Sequence, residues 1–176
     1  ARVSSSGTKF DMTKLNWLNG VYIRNMDTTQ LAVHLRRPLV KAGLEVNVDV
    51  LLRIVPLVRE RLKTLNDVVE WAGFFFEEDV PVPAADALIP KGLDAVQTRT
   101  LLNRVFAILT ALPTFEPHAM ETALRPLIEE LHLKPNQVFG PIRAAVTGRT
   151  VSPPLFESMA IIGREVSLTR IARAAA

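Results

Sequence analysis

The chain has 176 residues, 48% of them hydrophobic, and 21 Lys and Arg against 18 Asp and Glu give it a formal net charge of +3 at pH 7. This composition excludes a disordered polyelectrolyte, and the absence of cysteine excludes disulfides, thiolate metal sites and cysteine nucleophiles, which fits a cytoplasmic protein. No uncharged apolar run approaches the ~20 residues of a membrane-spanning helix, and residues 1–9 are polar and serine-rich instead of signal-like.

The apolar periodicity is helical nearly throughout. Residues 11–24 predict a first helix with Leu15, Leu18 and Tyr22 on one side. Asp27 reads as an N-cap, with Gln30 three residues on, and its helix runs through Leu31, Leu35 and Leu39 to a left-handed stop at Gly43. A third helix starts near Asn47 and extends to about Lys63, with Leu51, Ile54, Val55, Val58, Leu62 and Leu65 on one stripe. Pro56 interrupts that stripe and predicts a kink or a split. A short fourth helix, capped by Asn66 or Thr64, carries Val68, Trp71, Phe74, Phe75 and Phe76 and ends in Glu77, Glu78 and Asp79.

Val80, Pro81, Val82 and Pro83, with Pro90, Lys91 and Gly92 further on, mark a Pro-rich linker over 81–92. The next helix, about 93–112, is expected to bury Val96, Leu101, Val105, Phe106 and Leu109. Pro117 suits the first turn of another helix that reaches residue 131 and is bent by Pro126. A third follows Lys134 and Pro135 to Gly148, a fourth begins after Ser152, Pro153 and Pro154 and stops at Gly163, and a last one is capped by Ser167. The expected fold is all-α, two small helical bundles in tandem over 11–80 and 93–176, preceded by a connector over 1–10.

Catalytic constellations are missing. His34, His118 and His132 lack metal-ligand spacing, no glycine-rich phosphate cradle occurs, and Ser4, Ser5 and Ser6 beside Gly7 form a lead-in without a base. The Glu77, Glu78 and Asp79 cluster reads as an acidic helix end more simply than as a cation site. Charge distribution says more than net charge: from residue 134 onward Lys134, Arg143, Arg149, Arg164, Arg170 and Arg173 face only Glu157 and Glu165. Trp17, Tyr22, Trp71, Phe74, Phe75 and Phe76 invite a base-stacking role, but their helical spacing among apolar neighbours points to core packing.

Four stretches carry a family likeness. KLNWLNGVYIR at 14–24, with RVSSSGTKFD at 2–11 before it, resembles the segment that follows the class I catalytic core of bacterial glutamyl-tRNA synthetases. RERLKTL at 59–65 and AAVTGRTVSPPLFE at 144–157, extended by IIGRE at 161–165, are similar to the same family in the same order. The resemblance implies an all-helical anticodon-binding region that packs along the anticodon arm of tRNA-Glu. In such a ligase ATP, Mg2+ and the nucleotide-binding motifs belong to an upstream catalytic region, so this part is expected to hold no cofactor, no metal and no catalytic residue. The parent is expected to be a monomeric cytoplasmic enzyme with no membrane partner.

The resemblance also assigns roles. Arg61 matches the arginine that lets discriminating enzymes accept the cytosine ending the glutamate anticodon over the guanine of tRNA-Gln. Arg143 and Leu155 match positions near the first two anticodon bases, in a Gly140-Pro141-Ile142-Arg143 turn and a helix start that includes Ser152 and Pro153. Gly140 departs from the polar residue some relatives carry there. Lys134, Arg149 and Arg164 are expected phosphate contacts, which position RNA without specifying its sequence. Two other readings compete: a helical protein-interaction scaffold, and the same domain from an enzyme that serves both tRNA-Glu and tRNA-Gln.

Overall fold

The computed structural model describes residues 12–77 and 79–176. The connector expected over 1–10, Asp11 and Glu78 lie outside the described residues. Among those residues the fold is all-α, without a strand.

Helix α1 spans Met12–Asn25, α2 Thr28–Lys41 and α3 Val48–Val58. The N-cap expected at Asp27 forms, its carboxylate accepting from the amides of Thr29 (2.8 Å) and Gln30 (3.3 Å), and Asn47, near which the third helix is expected to start, caps it by accepting from Asp49 (2.9 Å) and Val50 (3.2 Å). Gly43 takes φ +85° where α2 stops. The α3 stripe is buried from Leu51 to Leu62. Pro56 neither splits nor ends α3. The helix gives up one hydrogen bond at this exposed proline and tightens three residues later into a 3-10 turn, Arg59–Arg61.

Helix α1 faces differently from expectation. Gly20 and Ile23 turn inward, while Leu18 and Tyr22 are exposed and Leu15 is only half-buried. Apolar side chains surround this helix, so periodicity alone could not select the buried side.

Helix α4, Asp67–Ala72, is followed by a second 3-10 turn, Gly73–Phe75. Asn66 makes no side-chain cap. Asp67 reaches backward instead, accepting from the amides of Lys63 (2.8 Å) and Thr64 (2.9 Å) and from the Thr64 hydroxyl (2.6 Å). Burial raises the Asp67 pKa, but these three donors and the Lys63 charge outweigh it and hold the carboxyl below its ordinary value. The loop between Arg61 and Trp71 is thereby locked.

Between the two units, residues 81–92 contain a four-residue helix α5, Ala85–Leu88, and the Lys91 carbonyl accepts from Gln137 Nε2 at 2.9 Å. Helix α6, Ala95–Ala111, opens on an Asp94–Gln97 capping box. It buries Leu101, Val105 and Leu109, leaves Phe106 half-buried, and exposes Val96 by 73%, because Val96 lies on the opposite face of the helix from the buried Thr98, Leu101 and Val105. Pro126 breaks the next helix outright into α7, Pro117–Leu124, and α8, Pro126–Glu130. Helix α9, Pro135–Thr147, carries Pro141 inside it, α10 is Leu155–Ile162, and α11 is Arg164–Ala174. Ser167 is a buried residue within α11, not its cap; α11 follows directly on Gly163.

Two apolar clusters result. The first gathers α2, α3, α4 and Ile23 of α1; the second gathers α6 to α11. Ile161 of α10 packs on the first cluster, and Arg53 donates to the Ala160 carbonyl at 3.3 Å. The buried tie is Arg170, 4% exposed, whose Nη1 and Nη2 donate to the carbonyls of Phe74 (both 3.2 Å), Val146 (2.8 Å) and Glu77 (2.6 Å). These acceptors lie at or just beyond the ends of the Gly73–Phe75 turn and α9, where carbonyls lack intrahelical partners. Arg173 adds bonds to Asp79 and the Val80 carbonyl.

Gly148 ends α9 at φ +70°, and a Cβ there would sit 2.5 Å from Val80 Cγ1. Gly148→Ala is expected to destabilise the fold by about 1–3 kcal/mol through left-handed strain plus that clash; an unchanged denaturation midpoint would refute this. Asp67→Ala is expected to cost about 1 kcal/mol at neutral pH. A depressed folded pKa stabilises above the unfolded value of about 3.9 and loses that contribution as pH falls through the folded value. The gap between wild type and Asp67→Ala in thermal melts should therefore narrow below about pH 4.

Candidate nucleic-acid interface

Arg143 lies in the body of α9, not in a turn as the Gly140-Pro141-Ile142-Arg143 pattern suggested. The helix accommodates Pro141 and ends one turn later at Gly148, so the chain doubles back and brings residues 152 and 153 against the Arg143 head. Nη1 of Arg143 donates to Ser152 Oγ at 2.5 Å and to the Pro153 carbonyl at 3.0 Å, and Ser152 Oγ itself donates to that carbonyl at 2.8 Å. Ser152 and Pro153 are buried and Arg143 is half-buried. They hold the guanidinium from behind and leave its remaining donors to point elsewhere.

Arg61 comes from the other cluster. It is exposed in the Arg59–Arg61 turn, with its guanidinium carbon 4.9 Å from the centroid of the Trp71 ring. That cation–π contact orients the head without consuming its hydrogen-bond donors. Beside it runs a groove of about 420 Å³ between α1 and the turn, where Arg24, Arg61, Lys63 and Trp17 meet Asn16 and Glu60.

The two arginines lie within electrostatic reach of each other. Burial holds the Arg143 pKa below the ordinary arginine value, and the nearby Arg61 charge lowers it further. Neither forms an ion pair among the described residues. Two cations within electrostatic reach, with no carboxylate bonded to either, make a site whose repulsion an anionic or acceptor-rich ligand relieves.

The other expected contacts divide. Leu155 is 5% exposed and belongs to the second core, so its side chain faces inward. Arg149 donates to the Glu70 carbonyl and ties α4 to the loop after α9. Arg164 lies over the Phe115 ring at 5.4 Å. Lys134 is exposed at the start of α9, about 14 Å along the helix axis from Arg143. Of the aromatics expected in the core, Phe74 is buried and Trp71 half-buried, but Trp17 and Tyr22 are 64% and 63% exposed. Arg170 and Arg173, read in sequence only as part of a basic run, are internal ties.

No group of three or more His, Asp or Glu side chains among the described residues is arranged to hold a metal ion, and no described helix is long and apolar enough to cross a membrane.

Comparison with known proteins matches residues 29–175 to the family described as anticodon binding domain. The chain is 40% identical over 183 residues to a glutamate–tRNA ligase of Chloroflexus aurantiacus, covering 99% of this chain and 36% of that one. It is 41% identical to that of Herpetosiphon aurantiacus at the same two coverages. Among solved structures, a glutamate tRNA ligase from Elizabethkingia meningosepticum in complex with its amino acid superposes with a TM-score of 0.81 at 23% identity, over 94% of this chain and 32% of that one, which shows a shared fold. The chain thus spans about a third of the length of its relatives. With the match covering most of its length and an all-helical fold in agreement, the chain belongs to the anticodon-binding domain family.

Proposed function

We propose that this chain binds the anticodon arm of tRNA-Glu and contributes tRNA choice to a ligase that joins glutamate to that tRNA. In the whole enzyme, ATP and Mg2+ serve the catalytic region, and the parent acts as a monomer in the cytoplasm. The observation that carries this reading is that Arg61 and Arg143, one from each cluster, lie within electrostatic reach of each other without a carboxylate partner among the described residues. Unstacked loop bases present acceptor edges and faces, and a planar guanidinium can bond the one and stack on the other. In this reading residues 11–80 and 93–176 act as two subdomains joined by 81–92, and the site forms where they meet.

The contacts then rank by what their side chains leave free. Arg61 and the outward face of Arg143 read bases. Ser152 and Pro153 serve chiefly by holding Arg143. Leu155 contributes through the backbone amide at the start of α10 instead of its side chain, since helix starts offer unpaired N–H groups. Lys134, half-buried Arg164 and the groove cations Arg24 and Lys63 supply the electrostatic background.

Gel shifts with tRNA-Glu and tRNA-Gln at two salt concentrations test the proposal. Binding to tRNA-Glu should weaken about tenfold or more between roughly 50 and 200 mM salt, as released counterions oppose association. Equal indifference to both tRNAs at low salt would show that RNA is not the partner. Arg61→Gln should narrow the preference for tRNA-Glu by on the order of 1–3 kcal/mol, the worth of a good bidentate base contact. An unaltered ratio of the two affinities would remove Arg61 from the discrimination.

A further inference from the structure

We propose that Arg170 is a positioning residue for RNA recognition: it touches no RNA but sets the spacing between the Arg61 platform and the Arg143 helix. The inference rests on the RNA-binding reading above and adds a residue in neither of the two groups expected to meet RNA.

The covalent path between the two arginines runs from residue 61 to residue 143 through a Pro-rich stretch, and a chain of that length fixes no distance by itself. Something else must hold the two heads in register. Arg170 Nη2 donates to the carbonyls of Phe74 and Glu77, immediately after α4, and Nη1 donates to the Val146 carbonyl near the end of α9. Phe74 lies three residues beyond Trp71, whose ring carries Arg61. Val146 lies three residues beyond Arg143 on the same helix. One buried fork therefore joins the two platforms, within a turn of Trp71 on one side and of Arg143 on the other.

The fork geometry matters. Three carbonyls from two separate segments require donors on two nitrogens in one plane, which guanidinium supplies and an ammonium does not. The neighbouring ties cannot substitute: Arg149 on the Glu70 carbonyl and Arg53 on the Ala160 carbonyl each engage one acceptor and lie nearer solvent. Arg173, bonded to Asp79 and the Val80 carbonyl, steadies the chain just beyond Glu77.

The chain has no cysteine, so a pair of spin labels on cysteines introduced at exposed Val33 in α2 and Val96 in α6 reports the spacing of the two clusters directly. Wild type should give one narrow distance distribution. Arg170→Met should broaden it while far-ultraviolet circular dichroism stays helical, and should weaken binding of the tRNA-Glu anticodon stem-loop about tenfold. Arg170→Lys should fall between the two in both measurements, and it carries the test if the methionine variant does not fold.

A second measurement separates positioning from general stability. In the wild-type background, Arg61→Ala and Arg143→Ala should be coupled in stem-loop affinity by roughly threefold or more, because both engage one loop. In the Arg170→Lys background that coupling should shrink toward additivity, which a uniform loss of stability would not cause. A narrow distribution and intact coupling in the Arg170 variants overturn the positioning role alone. Failure of the unmodified chain to bind the stem-loop overturns the RNA reading and the positioning role with it, and the spin-label distances then still report whether Arg170 sets the spacing.

Discussion

A buried guanidinium shared among three carbonyls is the constraint on which the rest of this molecule depends. Placing a cation in a site that leaves it 4% exposed is costly, and burial does lower the Arg170 pKa, with Glu77 and Asp79 offsetting only part of the effect. The cost is met because its partners are carbonyls at helix ends, groups that otherwise go unbonded once water is excluded. Donor and acceptors thus solve each other's desolvation problem. The consequence is a fixed seam between two helical clusters whose own cores are almost wholly separate, crossed in the apolar sense by little more than Ile161.

Along that seam the arginines divide by how much of the fork they spend internally. Arg170 spends most of it, and Arg149 and Arg173 tie backbone segments together. Arg143 spends one nitrogen on Ser152 and Pro153 and keeps the others. Arg61 spends none on hydrogen bonds and is steered by the Trp71 ring instead. Of the basic residues from 134 onward, Arg149, Arg170 and Arg173 are internal ties and Arg143 is half-committed, while Arg61 in the other cluster makes no hydrogen bond among the described residues. Lysine could not have filled these positions, since a point charge offers neither the fork nor the flat face.

Most of the helices were legible because their signals are local. Asp27, Asn47, Pro117 and Gly148 mark caps that need only their immediate neighbours, and the α3 stripe repeats often enough to select its buried side. The failures are equally instructive. Pro56, Pro126 and Pro141 share one chemistry, yet one sits in a continuous helix, one separates two helices and one is buried in mid-helix. The backbone can lose a hydrogen bond wherever packing holds the turn, and packing is not written in the proline. Ser167 mimics a cap but lies inside α11, and Val96 is apolar like the α6 stripe but sits on the opposite face of the helix. Trp17 and Tyr22 sit among apolar neighbours on a helix whose opposite side faces the core.

The sequence by itself determined an all-helical chain, most of its helix boundaries, the absence of thiol chemistry, and a likeness to glutamyl-tRNA synthetases carried by short motifs in order. Those properties depend on residues within a few positions of one another. Only the tertiary structure decided which arginines are ties and which are open, that Leu155 faces the core, and that Arg61 and Arg143 lie within electrostatic reach of each other. Such outcomes depend on contacts between residues 79 and 96 positions apart, Arg149 with Glu70 and Arg170 with Phe74, and on the turn at Gly148 that folds Ser152 back onto Arg143. An arginine looks the same in sequence whether its partner is a distant carbonyl or nothing at all; its surroundings are made only when the chain folds.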